Sequence, residues 1–170
     1  MKINFSELNH QEIINLISSA ESPVPAAITT AALNSINGLS LIKLVIKVVN
    51  NREQNSELKK LLKQLEKYQE DLYQLASKDC QSWDEKTHKF NKEILINVPY
   101  QLANKIITIL EDIKKVNSTI TGQVKSDFEA GFSILKNSCQ IAIDIYQKNL
   151  KYFQLDQTSS IDLQKNLNQL

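Results

Sequence analysis

Apolar residues recur along this chain at intervals of three and four, the period of amphipathic helices, and polar clusters break the pattern into segments. Phe5, Leu8, Ile13, Ile14 and Ile17 form one face of a short first helix, and Asn9 with Glu12 has the spacing of a capping box. The run Ser22-Pro23-Val24-Pro25 predicts a rigid loop, with Pro25 suited to the first position of the next helix. That second helix, from about Pro25 to Asn50, is apolar nearly all round and rich in small residues, among them Ala31, Ala32, Ser35, Gly38 and Ser40. Such a helix belongs in the middle of a bundle or at a subunit interface, where small side chains let another backbone approach.

Asn51 to Asn55 reads as a polar connector and Ser56 as the cap of a third helix, whose stripe runs through Leu58, Leu61, Leu65, Tyr68, Leu72, Leu75, Ala76, Cys80 and Trp83. Its opposite face carries Lys59, Lys63, Lys67, Glu70 and Asp71, a solvated charged surface. After a polar stretch, apolar residues return from Ile94 to Ile113 around Pro99, which predicts a helix kinked or restarted at the proline. A loop over 117–123 follows. Ser126 and Glu129 have capping-box spacing ahead of Phe132, Leu135, Cys139, Ala142, Ile143, Tyr146 and Leu150, and a short amphipathic segment ends in Leu167 and Leu170. The pattern predicts an all-α, up-and-down bundle of five to six helices with a long central small-residue-rich helix.

The chain has 170 residues, which suits a single helical domain over 1–170. Three Gly and three Pro are too few for the turns of a many-stranded sheet. With 20 Lys and Arg against 19 Asp and Glu, the net charge of +1 gives no long-range pull on nucleic acid or an anionic membrane. The apolar segment from Ala26 to Ile42 is interrupted by Asn34, Ser35 and Asn37 and closed by Lys43 and Lys47, which favours a core helix over a membrane span. Cys80 and Cys139 occupy apolar stripe positions, as reduced core thiols do, and Glu7 and Glu12 follow the N-terminus without an apolar signal segment. The expected location is the cytoplasm.

No paired Cys-x-x-Cys, His-Glu-x-x-His, Gly-rich phosphate loop or Gly-x-Ser-x-Gly elbow occurs, so no metal site and no cofactor is expected. His10 and His88 lie in polar contexts and receive no role. Asp79 lies close to the buried stripe of the third helix, beside Cys80 and Trp83. A desolvated carboxylate there would have a raised pKa and suit proton transfer, whereas one facing water would be one more surface charge. Asp127, after Ser126 at a helix start, is equally explained by a favourable interaction with the helix dipole.

Three stretches together resemble the formiminotransferase-cyclodeaminase and methenyltetrahydrofolate-cyclohydrolase family. Ser22-Pro23-Val24-Pro25 is similar to a Ser-Pro-x-Pro loop ahead of a small-residue helix, and Ala31-Ala32 to the Ala-Ala that follows. Asp79 through Trp83 resembles an Asp-x-x-x-aromatic segment, and Val98-Pro99, Ser126-Asp127 and Asn149-Leu150 resemble motifs of the last two long helices. The resemblance implies an all-helical homodimer acting on a small-molecule substrate, a tetrahydrofolate one-carbon derivative. One branch of the family cyclises 5-formiminotetrahydrofolate with loss of ammonia, and the other hydrolyses 5,10-methenyltetrahydrofolate. It also implies Asp79 as the acid/base carboxylate, with Pro25, Ala26, Ala27, Ile28, Thr29, Ser126 and Asp127 shaping the substrate site. Ala26-Ala27-Ile28-Thr29 stands where the family has Gly-Gly-Gly-Ser, so side chains occupy a surface that glycine leaves open. That departure keeps two alternatives alongside the folate expectation: a different small molecule, or a non-catalytic helical dimer serving as a binding or structural subunit.

Overall fold

The computed structural model describes residues 3–19, 26–84 and 88–170, so the Pro-rich loop and Pro25 lie outside the described residues. Six helices follow in order: α1 (His10–Ser18), α2 (Ala27–Glu53), α3 (Ser56–Asp79), α4 (Lys92–Val116), α5 (Lys125–Tyr152) and α6 (Thr158–Asn168). Between α3 and α4 the chain forms a small antiparallel ribbon of β1 (Trp83–Asp84) and β2 (Lys89–Phe90), with Trp83 paired to Phe90. The long helices α2, α3, α4 and α5 form an up-and-down all-α bundle in which each packs on its neighbours in sequence and α5 closes back onto α2.

The helix ends follow local chemistry, with some departures from the periodicity. Asn9 and Glu12 form the expected capping box, Asn9 Oδ1 accepting from Glu12 N at 3.0 Å and Glu12 Oε2 from Asn9 N at 2.7 Å. The third helix is capped by Asn55, whose side chain accepts from Glu57 N at 2.8 Å, rather than by Ser56. No capping box forms at Ser126. The helix α5 begins one residue earlier, at Lys125, so Ser126 is already inside it and its hydroxyl turns back to Gln123 O at 3.1 Å. Pro99 does not restart α4, which runs as one helix from Lys92 to Val116.

The central helix is α2. Its Ala31, Ala32, Leu39, Ile42, Val45 and Ile46 are sealed against α3, α4 and α5, which is why it is apolar on more than one face. Between Ile28 and Asn50 its exposed positions are Asn34, Asn37, Ser40, Leu44 and Lys47, so one large apolar side chain, Leu44, faces out at 53% exposure. Most of the apolar surface of α2 is covered by the other helices of the chain. A smaller layer comes from α6, which buries Leu163 and Leu167 and exchanges side-chain hydrogen bonds between Gln140 and Gln164 at 2.9 Å.

The contact between α2 and α5 depends on two glycines. A Cβ on Gly38 would meet Gly131 O at 2.9 Å and Ile134 Cβ at 3.1 Å, and a Cβ on Gly131 would meet Gly38 O at 2.7 Å. Both obstacles include backbone, which cannot rotate away. Gly131→Ala is therefore expected to destabilise the fold by roughly 1–3 kcal/mol in urea unfolding, against the gain of about 1 kcal/mol that alanine brings to an open helix position. Stabilisation of the variant would rule out the close crossing. Leu65 and Leu135 are both fully buried, and replacing either with Ala should cost roughly 2–5 kcal/mol. A loss below about 1 kcal/mol would place the residue at the surface.

Candidate functional site

The N-terminus of α2 opens with orphan backbone donors, because its N-cap residue, Ala26, has no side-chain acceptor. Asp79, the last residue of α3, supplies one from across the bundle. Its Oδ2 accepts from Thr29 N at 3.0 Å and from Thr29 Oγ1 at 2.8 Å. The carboxylate performs from α3 the task that a serine or aspartate at the N-cap would perform locally, at the positive end of a helix dipole. Thr29 is fully buried and Asp79 is 6% exposed. Burial pushes the Asp79 carboxyl above the ordinary carboxylate range, and the two Thr29 hydrogen bonds oppose that shift. The neighbouring Cys80 thiol is pushed up to about 11, chiefly by burial and also by the Asp79 charge, with a contact to Thr29 Oγ1 opposing. A thiol so shifted is protonated at neutral pH and is no nucleophile.

Asp79 lines a cavity of about 480 Å³ between the start of α2, the end of α3, the ribbon, and the facing parts of α4 and α5. Ala26 and Ala27 are exposed at its edge, and Ile28, only 3% exposed, stands in its wall. Trp83 and Phe90 contribute an aromatic pair, ring centroids 4.8 Å apart and edge to face, with Phe90 largely in solvent. Leu95 and Pro99 come from α4, and Ile145 and Asn149 from α5. The wall is apolar except for Asp79, Cys80, Ser82 and Asn149. This is the composition of a small-molecule site, in which a few polar groups fix orientation.

Pro99 explains the position of Asn149. A proline has no N–H, so in α4 it cannot donate to the carbonyl four residues earlier, that of Leu95. Asn149 Nδ2 donates to Leu95 O at 2.7 Å and takes the place of the missing helical bond. The sequence singled out Val98-Pro99 and Asn149-Leu150 without joining them. The only signal available was the proline itself, which requires some donor for Leu95 O but does not say which.

Of the residues expected at the site, Asp79, Ala26, Ala27 and Ile28 line one cavity, and Thr29 stands behind it, bonded to Asp79. Pro25 lies outside the described residues. Ser126 and Asp127 are not brought to the cavity: both are exposed in the first turn of α5, whereas the cavity takes Ile145 and Asn149 from the other end. At about 1.5 Å per residue the separation along the helix is roughly 33 Å. The antiparallel run of α2 and α5 sets this, since Gly38 meets Gly131 and the start of α2 meets the end of α5.

Two larger clefts, of about 750 and 620 Å³, flank α3, but their charged groups face water or are paired, as Asp71 is with Lys105 at 2.7 Å. Among the described residues no group of three or more His, Cys, Asp and Glu is placed to hold a metal ion.

No family model and no curated protein matches the chain. Among solved structures, the chain is similar to the crystal structure of formiminotetrahydrofolate cyclodeaminase from Thermotoga maritima, with a TM-score of 0.77 and 15% sequence identity over 96% of this chain and 88% of that one. At this identity the likeness is one of architecture, and the chain has the helical fold of that cyclodeaminase.

Proposed function

We propose that the protein binds a tetrahydrofolate one-carbon derivative in the cavity beside the α2 N-terminus and catalyses cyclodeaminase- or cyclohydrolase-like chemistry at a C–N bond, with Asp79 as the proton-transfer group. The observation that carries this is a single buried carboxylate, with a raised pKa, on the wall of an otherwise mostly apolar cavity. Oδ2 is held by Thr29, so the carboxyl plane is fixed, and among the described residues no hydrogen bond is made to Oδ1.

In a cyclisation with loss of ammonia, the attacking nitrogen forms the new C–N bond and gives up a proton, and the departing nitrogen needs one. A carboxyl that titrates above the ordinary range accepts the first proton and returns it to the second. In hydrolysis of a methenyl bridge the same group takes a proton from water as it adds to the carbon, then protonates the nitrogen whose bond breaks. The apolar and aromatic walls suit a planar ring system and keep bulk water from the carboxylate.

Ile28 favours a second reading, a related reaction on a smaller or non-folate molecule. Its buried branched side chain occupies wall space at the α2 start, and the Thr29 N–H is already taken by Asp79, so this helix N-terminus does not offer that donor to an anion. Calorimetric titration with 5-formyltetrahydrofolate tests the first reading, since absence of binding removes the folate substrate and leaves a non-folate molecule or a non-catalytic role.

Asp79→Asn keeps an oxygen for both Thr29 bonds but removes the titrating group. Turnover of formiminotetrahydrofolate or methenyltetrahydrofolate should fall roughly 10²- to 10⁴-fold with little change in ligand affinity. An unchanged rate would remove Asp79 from the chemistry. The same variant tests the electrostatics. A carboxyl raised in the folded state favours the protonated native form, so its contribution to stability is best below the unfolded value near 3.8 and is lost as pH rises through the folded pKa. The melting temperature of wild type relative to Asp79→Asn should therefore fall from about pH 3.5 upward and level off above the folded pKa. A flat difference would show that burial does not shift the group.

A further inference from the structure

We propose that Asn149 is a ligand-orienting residue of this cavity, its side-chain Oδ1 accepting an N–H of the bound molecule, and that the carbonyl left free by Pro99 aims it. This rests on the function proposed above and assigns to it a second recognition group besides Asp79. Leu95 O can only accept, so the Asn149 atom 2.7 Å from it must be the amide nitrogen, which settles which way the planar amide is turned. With Nδ2 committed to α4, the other branch of the amide is the carbonyl oxygen. Asn149 is half-buried on the cavity wall, and among the described residues no donor reaches Oδ1. A half-buried acceptor in a mostly apolar wall is a recognition element, because a ligand that leaves it unpaired forfeits a hydrogen bond that water would otherwise supply.

The side chain is held at both ends of its reach, by α5 through its backbone and by α4 through Leu95, so little conformational freedom is lost when it binds. Asp79 and Asn149 enter the cavity from different helices, one offering a carboxyl and the other a fixed amide oxygen. The amide oxygen can only accept, so it selects a molecule that carries an N–H donor, such as the amide or amino group of an aminopyrimidinone ring, rather than one edged only by carbonyls or carboxylates.

Pro99→Ala provides the test, because alanine restores the backbone N–H that Leu95 O lacks and releases Asn149 from its structural task. Affinity for 5-formyltetrahydrofolate is measured by calorimetry for Pro99→Ala and for Pro99→Ala combined with Asn149→Leu. The expected result is a loss of roughly 3- to 10-fold in the double variant, the range of one neutral hydrogen bond, with the melting temperature unchanged. Equal affinity of the two proteins would overturn the assignment while leaving the folate reading intact, whereas a wild type that binds no reduced folate removes both. Should the variants not fold, the isotope-labelled wild type carries the test: the Asn149 side-chain amide resonances must shift on addition of 5-formyltetrahydrofolate, and resonances that stay in place overturn the proposal.

Discussion

Where Gly38 faces Gly131, α2 and α5 approach so closely that neither position has room for a Cβ. Much of the rest of the bundle depends on this contact. It brings the most apolar of the long helices against the longest one, and the adjoining side chains Ile42 and Ile134 pack over the opposite glycine. Close packing over that length leaves α2 buried on most of its circumference, so α3 and α4 complete a core that includes Leu39, Ile46, Leu65, Leu102, Ile106 and Ile143. The same contact sets the registry that places the first turn of α2 beside the last turns of α5, and the cavity lies at that end.

At the cavity, structural and chemical demands fall on the same atoms. An uncapped helix start needs an acceptor, and Asp79 provides it from α3 at the cost of removing a carboxylate from water. Because Thr29 returns two hydrogen bonds to one oxygen, the carboxyl is oriented, and burial raises its affinity for a proton. The group that ties α2 to α3 thus also holds its proton more tightly than an exposed carboxyl does. Pro99 acts similarly: it withholds one backbone donor, and the Asn149 side chain that replaces it becomes fixed in the cavity wall.

The helices, their apolar stripes and the all-α class were legible in the sequence because they rest on local periodicity, propensity and capping. The capping box at Asn9 and Glu12 forms because both partners lie within one turn. The setting of Asp79 was not legible from periodicity, since a place beside the stripe of α3 fits a surface charge as well as a desolvated carboxylate, and it is the fold that buries it. Local spacing misled at Ser126, where α5 starts at Lys125 and the box has no helix start to close.

What only the tertiary structure decided is which distant residues meet. Thr29 and Asp79 are 50 positions apart and Leu95 and Asn149 are 54 apart, so no periodicity links them. Nothing in the local spacing around Gly131 requires a glycine; the requirement comes from the backbone of Gly38 packed against it. Thr29, expected to meet a ligand, meets Asp79, while Ser126 and Asp127 are carried to the far end of the bundle. The physical reason is that hydrophobic patterning fixes which face of each helix turns inward, whereas the pairing of faces, the direction of each helix and its registry are set by close packing, here by two glycines that allow only one near approach.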